Sequence, residues 1–280
     1  MKTLELFLHK GVQIPTHTIW LLNALAEYRG KQELFRRQSL EKLKALRESS
    51  VIESAVSSNR IEGIEIDKKR IGTVIFGEGF LTDRNEEEVR GYQSALSWIH
   101  DNFDDIPVNV ETILKLHALT RPNIWDSGKL KEKDGEIIET YPDGRVVVRF
   151  KPVSAQETPK QLQKLCDYYA DALKEQIIPP LVLLAAFNFD FLAIHPFRDG
   201  NGRVSRLLIL LLLYKLGFEA GRYVSVEKII ERSKERYYET LKESSDGWHE
   251  GAHDIWKYVN YLLYTLKELY QEFEFLHKSN

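Results

Sequence analysis

Twelve consecutive residues, His195-Pro196-Phe197-Arg198-Asp199-Gly200-Asn201-Gly202-Arg203-Val204-Ser205-Arg206, concentrate the groups that could do chemistry. Gly200 and Gly202 remove side chains, so backbone N–H groups can approach an anion. They also lead into the start of a helix, where unsatisfied N–H groups and the helix dipole favour phosphate. Arg203 and Arg206 are three apart on the first turns of that helix, share a face, and can clamp a di- or triphosphate. Asp199 could hold a magnesium ion, which commonly takes one carboxylate together with substrate oxygens and water. His195 is the natural proton acceptor, because its side chain titrates nearest neutrality. The stretch thus reads as a nucleotide-phosphate site with a base beside it. Neither the Walker lysine motif nor the six-position dinucleotide glycine pattern is present.

Those residues need rigid supports, and the flanking sequence supplies them. Pro179-Pro180 starts an apolar helix that ends just before His195, and the apolar run Leu207–Tyr214 continues the next helix as a core element. The chain is read as all-α with one small hairpin. Residues 16–47 predict one or two amphipathic helices. Ser50-Val51-Ile52-Glu53 reads as a capping box that starts a helix ending at Gly63. Asn85, followed by three glutamates, opens a helix to about Phe103, and residues 110–120 form a shorter one. The polar stretch 128–152 predicts a hairpin pairing Glu136–Thr140 with Arg145–Lys151 around the turn Tyr141-Pro142-Asp143-Gly144. Thr158 reads as an N-cap ahead of Pro159, and further helices are expected at about 203–216, 225–243 and 252–276.

Composition narrows the function classes. The chain has 280 residues, and its 39 Lys+Arg against 42 Asp+Glu give a net charge of −3. That balance argues against a nucleic-acid or anionic-membrane partner, either of which would favour a basic chain. Within 195–206, however, three arginines face one aspartate, a local positive excess. A single cysteine, Cys166, excludes an internal disulfide framework and a multi-cysteine zinc site. Glu5 interrupts the only apolar stretch near the N-terminus, no signal peptide is read there, and a cytoplasmic location is expected.

The motif resembles the signature of the Fic (Fido) family, His-Pro-Phe-x-Asp/Glu-Gly-Asn-Gly-Arg-x-x-Arg, and all nine defined positions match. The resemblance implies a helical fold and transfer of AMP from ATP to a Ser, Thr or Tyr hydroxyl of a target protein. In that setting His195 is the base, and Asp199 holds Mg²⁺. Gly200, Asn201 and Gly202 form the anion hole, Arg203 and Arg206 neutralise the phosphate tail, and Phe197 is a buried anchor. The hairpin at about 136–151 corresponds to the flap with which the family pairs a target strand. Tyr237 and Tyr238 fall where the family places a helix near the adenine.

A second motif precedes the first. Glu62 ends its helix, where a carboxylate opposes the dipole and calls for a cation. Ser58-x-x-x-Glu62-Gly63 resembles the family's inhibitory motif, whose glutamate pairs with the second signature arginine and blocks productive ATP seating. Carried over, Glu62 binds Arg206 and the resting protein is autoinhibited. The implied organisation is an N-terminal helical region over 1–105 containing an inhibitory helix at about 50–63, a catalytic core over 106–262, and a C-terminal helix end over 263–280. Competing readings are the reverse reaction, removal of AMP with Glu62 positioning water, a nucleotide-binding regulatory module without transferase activity, and a metal phosphohydrolase with His195 and Asp199 as ligands. The sequence leaves open whether the chain forms a homo-oligomer.

Overall fold

A computed structural model describes residues 2–37, 40–77, 79–140 and 143–278. The centre of the fold is a pair of packed helices, α8 (Pro180–Ile194) and α9 (Asn201–Lys215), joined by the loop 195–200. Nearly every side chain of α8 is buried, as are Val204 to Tyr214 of α9. Helices apolar on all sides must sit inside a shell of others, and each buried leucine contributes about 1.5–3 kcal/mol. The register of the pair is fixed by a buried polar cluster. Asn188 Nδ2 donates to Ser205 O (2.8 Å), and Ser205 Oγ (3.1 Å) and Tyr258 Oη (2.6 Å) both donate to Asn188 Oδ1.

The shell follows in chain order: α1 (Thr3–Lys10), α2 (Thr16–Phe35), α3 (Leu40–Ile61), α4 (Ile71–Phe76), α5 (Arg84–Asn102), α6 (Val110–Thr120) and α7 (Thr158–Glu175). Beyond the central pair come α10 (Val226–Arg232), α11 (Lys234–Ser245) and α12 (Trp256–Lys278). Helices α1, α7 and α12 pack on α8, whereas α3, α5 and α6 pack on α9. Gly91 lets α5 and α6 approach closely, since a Cβ there would stand 2.4 Å from Leu119 O. The start of α1 is pinned to α8 by the fully buried Asp190 carboxylate. It accepts from Thr3 N, Thr3 Oγ1, Leu4 N and Trp248 Nε1.

Strands β1 (Ile137–Thr140) and β2 (Val146–Phe150) form the expected antiparallel hairpin, pairing Ile138 with Val148 and Glu139 with Val147. Of the predicted turn, Tyr141 and Pro142 lie outside the described residues; Asp143 Oδ1 accepts from Arg145 N, and Gly144 has φ +81°. The hairpin is tied to α11 by Glu139–Lys242 (2.9 Å) and by Arg149, which donates to Tyr238 O.

The all-α reading with one hairpin holds, and the differences are local. Ser50 starts no helix: α3 runs through it, and its hydroxyl instead donates to Gly221 O while Glu53 pairs with Lys228. Tertiary partners thus override the local capping pattern. The cap of α5 is Asp83, whose side chain accepts from Glu86 N (2.9 Å); Asn85 Nδ2 donates to Glu65 O. Thr158 lies inside α7, with its hydroxyl donating to Ser154 O. The expected helix over 225–243 is two helices that break at Ser233. No helix among the described residues is long and apolar enough to cross a membrane.

Candidate active site

Helix α8 ends on His195, which adopts a left-handed backbone (φ 51°, ψ 62°) with its N–H donating to Phe191 O (2.9 Å). A non-glycine residue there costs roughly 1–3 kcal/mol, which the surrounding loop must offset. The ring is oriented by Nδ1, 3.3 Å from Leu192 O. Nδ1 therefore carries the proton, and Nε2 keeps its lone pair as an acceptor. Burial pushes the imidazole down to about 4, so the ring is neutral at neutral pH.

The loop is held by its own asparagine. Asn201 Oδ1 accepts from Phe197 N (3.0 Å) and its Nδ2 donates to Phe197 O (2.8 Å). The Phe197 ring is buried and stacks on His117, 3.9 Å between centroids. His117 accepts from Gly128 N at Nδ1, which leaves Nε2 protonated to donate to Asp199 O (3.0 Å). Gly200 takes φ +84°, and a Cβ would stand 2.9 Å from Arg121 Cδ, so glycine is required on both counts.

Helix α9 then begins with free donors. Its first intrahelical bond is Val204 N to Gly200 O, so the N–H groups of Asn201, Gly202 and Arg203 have no partner within the helix. Arg206 is fully buried; Nε donates to Ser58 Oγ (2.8 Å), and Nη2 to Ser58 O (2.9 Å) and Glu62 Oε1 (2.7 Å). Its Nη1 has no partner among the described residues. Burial alone would lower the guanidinium, but Glu62 outweighs it and holds it above the ordinary arginine value. A Cβ on Gly202 would lie 2.3 Å from Glu62 Oε1 and 3.2 Å from Arg206 Nη1. The Glu62 carboxylate therefore rests against the glycine and the arginine that together open the helix N-terminus to an anion. Gly63 (φ +80°) makes this placement feasible: Ile64 N reaches back to Asn59 O (3.0 Å), closing α3 so that Glu62 projects from its end.

The other predicted residues take distinct positions. Asp199 is more than half exposed. Partial burial would raise its carboxyl, but Arg121 and Arg203 outweigh that and hold it below the usual range. Arg121 donates to Asp199 Oδ2, and Gly200 N to Oδ1 (2.6 Å). Arg203 does not reach the cavity. It is buried, bonded to Glu88 and to Asn59 Oδ1 (3.2 Å), with Nη2 3.9 Å from Asp199. A cavity of about 590 Å³ joins His195, Asp199, Gly202, Arg206, Tyr237, Tyr238 and Glu62, with the hairpin residues Ile138 and Arg149 across it. A second cavity of about 460 Å³, lined in part by Trp125, Leu130 and Lys131, meets the first at His195.

Sequence reasoning missed Glu88, Arg121, Lys131 and Arg149. Glu88 had a signal: it lies at helical spacing with Tyr92, Ala95 and Ile99, on the buried face, where a carboxylate implies a buried cation. It accepts from Arg84 Nε as well as from Arg203. The other three come from segments that the fold brings in from a distance.

Residues 107–213, from the approach to α6 through most of α9, match the Fic/DOC family model. Those residues form a Fic/DOC domain. Within it lie the loop and helix start just described, and the β1–β2 hairpin that precedes them in the chain. Protein adenylyltransferase fic-1 of Caenorhabditis elegans is 28% identical over 204 residues, covering 62% of this chain and 37% of the relative. Two solved structures share the fold over nearly all of it. A Fic family protein from Desulfovibrio desulfuricans has a TM-score of 0.73 at 24% identity, covering 93% of this chain and 75% of that one. A Fic domain containing signaling protein from Bacteroides thetaiotaomicron has a TM-score of 0.74 at 22% identity, covering 92% and 97%. The chain spans 37%, 27% and 51% of three curated Fic adenylyltransferases that it matches.

Proposed function

We propose that this Fic-domain protein transfers AMP from ATP to a Ser, Thr or Tyr hydroxyl of a target protein, and that Glu62 holds the resting site closed. The observation that carries this reading is one cavity lined by His195, by Gly202 at the open start of α9, and by Arg206, whose Nη1 has no partner among the described residues. An anion binds at the helix start, and a base stands beside it.

His195 Nε2 accepts the hydroxyl proton as that oxygen attacks the α-phosphorus, and pyrophosphate leaves with its electron pair. The protein contributes positioning and electrostatics. The N–H groups of Gly202 and its neighbours face the phosphates, Arg206 neutralises the tail, and Tyr237 and Tyr238 wall the nucleoside end. Arg203, locked to Glu88, acts from behind by fixing the helix start. Asp199 fits a magnesium site: a half-exposed carboxylate at the cavity suffices when phosphates and water complete the shell. The ion, when bound, neutralises phosphate charge, and Arg121 must then share Asp199 with it.

In the closed state the Glu62 carboxylate occupies the anion position on Arg206 and Gly202, so the terminal phosphate of ATP and Glu62 compete for one place. Residues 1–105 supply this inhibitory segment and 106–262 the catalytic core, while α12 crosses position 263 unbroken and packs on α2. The partner is a protein rather than nucleic acid or membrane. The reverse reaction is favoured by one observation: Glu62 and His195 line the same cavity, so Glu62 could position water on an AMP-modified target. The test is proteomic mass spectrometry of cell lysate given isotope-labelled ATP with wild type, Glu62→Gly and Glu62→Gly/His195→Ala proteins. Labelled hydroxyl side chains are expected with Glu62→Gly and none without His195. No His195-dependent label in any form would leave only nucleotide binding.

A further inference from the structure

Lys131 lies outside the signature, between α6 and the hairpin, yet its side chain is only 9% exposed. Its Nζ donates to Ile194 O (2.9 Å), and its own N–H donates to Pro196 O (2.9 Å). The two carbonyls that flank His195 are thus both held by one residue. Ile194 O is among the last carbonyls of α8, which have no intrahelical partner, so Lys131 also caps that helix. Pinning these two peptide groups is what a left-handed histidine requires of its surroundings.

A neutral donor could serve the bond to Ile194 O equally well, and burying an ammonium is costly. No carboxylate among the described residues forms an ion pair with Lys131. Burial pushes its ammonium down to about 8, against the weaker opposing pull of Asp134. The charge is therefore retained at a cost to stability, which points to work done on a neighbour. The charged groups that act on His195 are Glu62 from the end of α3, Asp199 from its own loop, and Lys131; Glu136, Arg149 and Arg206 share its first cavity, and Asp126, Lys129, Glu132, Lys133, Asp134 and Arg198 its second. Glu62 and Asp199 favour the protonated ring, as would the phosphates of a bound nucleotide. Lys131 opposes them from the side of the second cavity.

We propose that Lys131 is a positioning residue for His195, holding its backbone in place and keeping its ring unprotonated when phosphates enter the site. This rests on His195 being the proton acceptor. The test uses the full chain with Glu62→Ala, adding Lys131→Met, Lys131→Gln or Lys131→Arg. Carbon-13 NMR of labelled histidines, with His195 assigned by His195→Gln, follows the ring's titration with and without a non-hydrolysable ATP analogue. The His195 midpoint should move to higher pH in the Met and Gln variants, more so with the analogue bound, and return towards the parent value in the Arg variant. Target modification should show the same order: kcat at mildly acidic pH falls about tenfold for Met and Gln, the acid limb moves up, and KM for ATP stays within about twofold. An unchanged midpoint in folded Lys131→Gln would overturn the proposal. So would equal loss in Gln and Arg at every pH, which marks a purely structural residue. If no protein is ever modified, the transfer reading fails, but the NMR titration still decides the coupling.

Discussion

Replacing Glu62 with alanine should open the nucleotide site, and the structure bounds the size of the effect. The substitution removes a charge-assisted bond of 2.7 Å between Arg206 Nη2 and Glu62 Oε1. Such bonds contribute about 1.5–3 kcal/mol net. Glu62 is 29% exposed and Arg206 is fully enclosed, so solvent screening favours the lower part of that range, about 2 kcal/mol. A closed state preferred by about 2 kcal/mol leaves about 3% of molecules competent, which weakens apparent nucleotide affinity about thirtyfold. Glu62→Ala should therefore bind a non-hydrolysable ATP analogue about thirtyfold more tightly than wild type in isothermal titration calorimetry. Glu62→Gln, which keeps the shape and loses the charge, should fall between them. Arg206 keeps both bonds to Ser58 in either variant. The nucleotide-free Tm should therefore drop by only about 4 °C, at about 2 °C per kcal/mol for a chain of this size. Equal affinities in wild type and Glu62→Ala would refute the reasoning, as would a nucleotide-bound wild-type structure with the Glu62–Arg206 pair intact.

Two further outcomes concern stability. Burial pushes His100 down to about 3 and His117 to about 4, while in the unfolded chain both titrate near their ordinary 6.5. Between those limits the unfolded state binds more protons, so stability is full above pH 6.5 and is lost as pH falls towards 4. The two together give about 2.7 kcal/mol per pH unit near pH 5. Urea unfolding should show this slope over the other titrations, and His100→Gln should reduce it by about half of that amount. Asp190→Ala strands the buried donors of Thr3, Leu4 and Trp248, and should cost about 3–5 kcal/mol in calorimetry. Asp190→Asn should lose less, because it retains one acceptor oxygen.

The site was legible in the sequence where neighbours in the chain are neighbours in the fold. His195 to Arg206 is a helix end, a loop and a helix start, so spacing alone placed His195, Gly202 and Arg206 around one opening. The fold class followed from apolar periodicity, and the strongest periodic segments, α8 and α9, became the centre. What the sequence could not carry is which polar group meets which across the core. Arg203 and Arg206 share a spacing and a face, yet Glu88 of α5 turns one into a buried strut while Glu62 keeps the other at the cavity. Ser50 fits a capping pattern, but the helix continues past it because its hydroxyl finds Gly221 across the packing interface. Lys131 gives no local signal, since its role depends on carbonyls more than sixty residues away.

Transfer itself is tested most directly with two radiolabelled forms of ATP. Glu62→Ala protein, a lysate as the source of targets, and ATP labelled at either the α- or the γ-phosphate should give label on protein from the α-position only. Adding His195→Ala should abolish that label while leaving affinity for the non-hydrolysable analogue within about twofold. Label from the γ-phosphate, or α-label that persists without His195, would contradict the account.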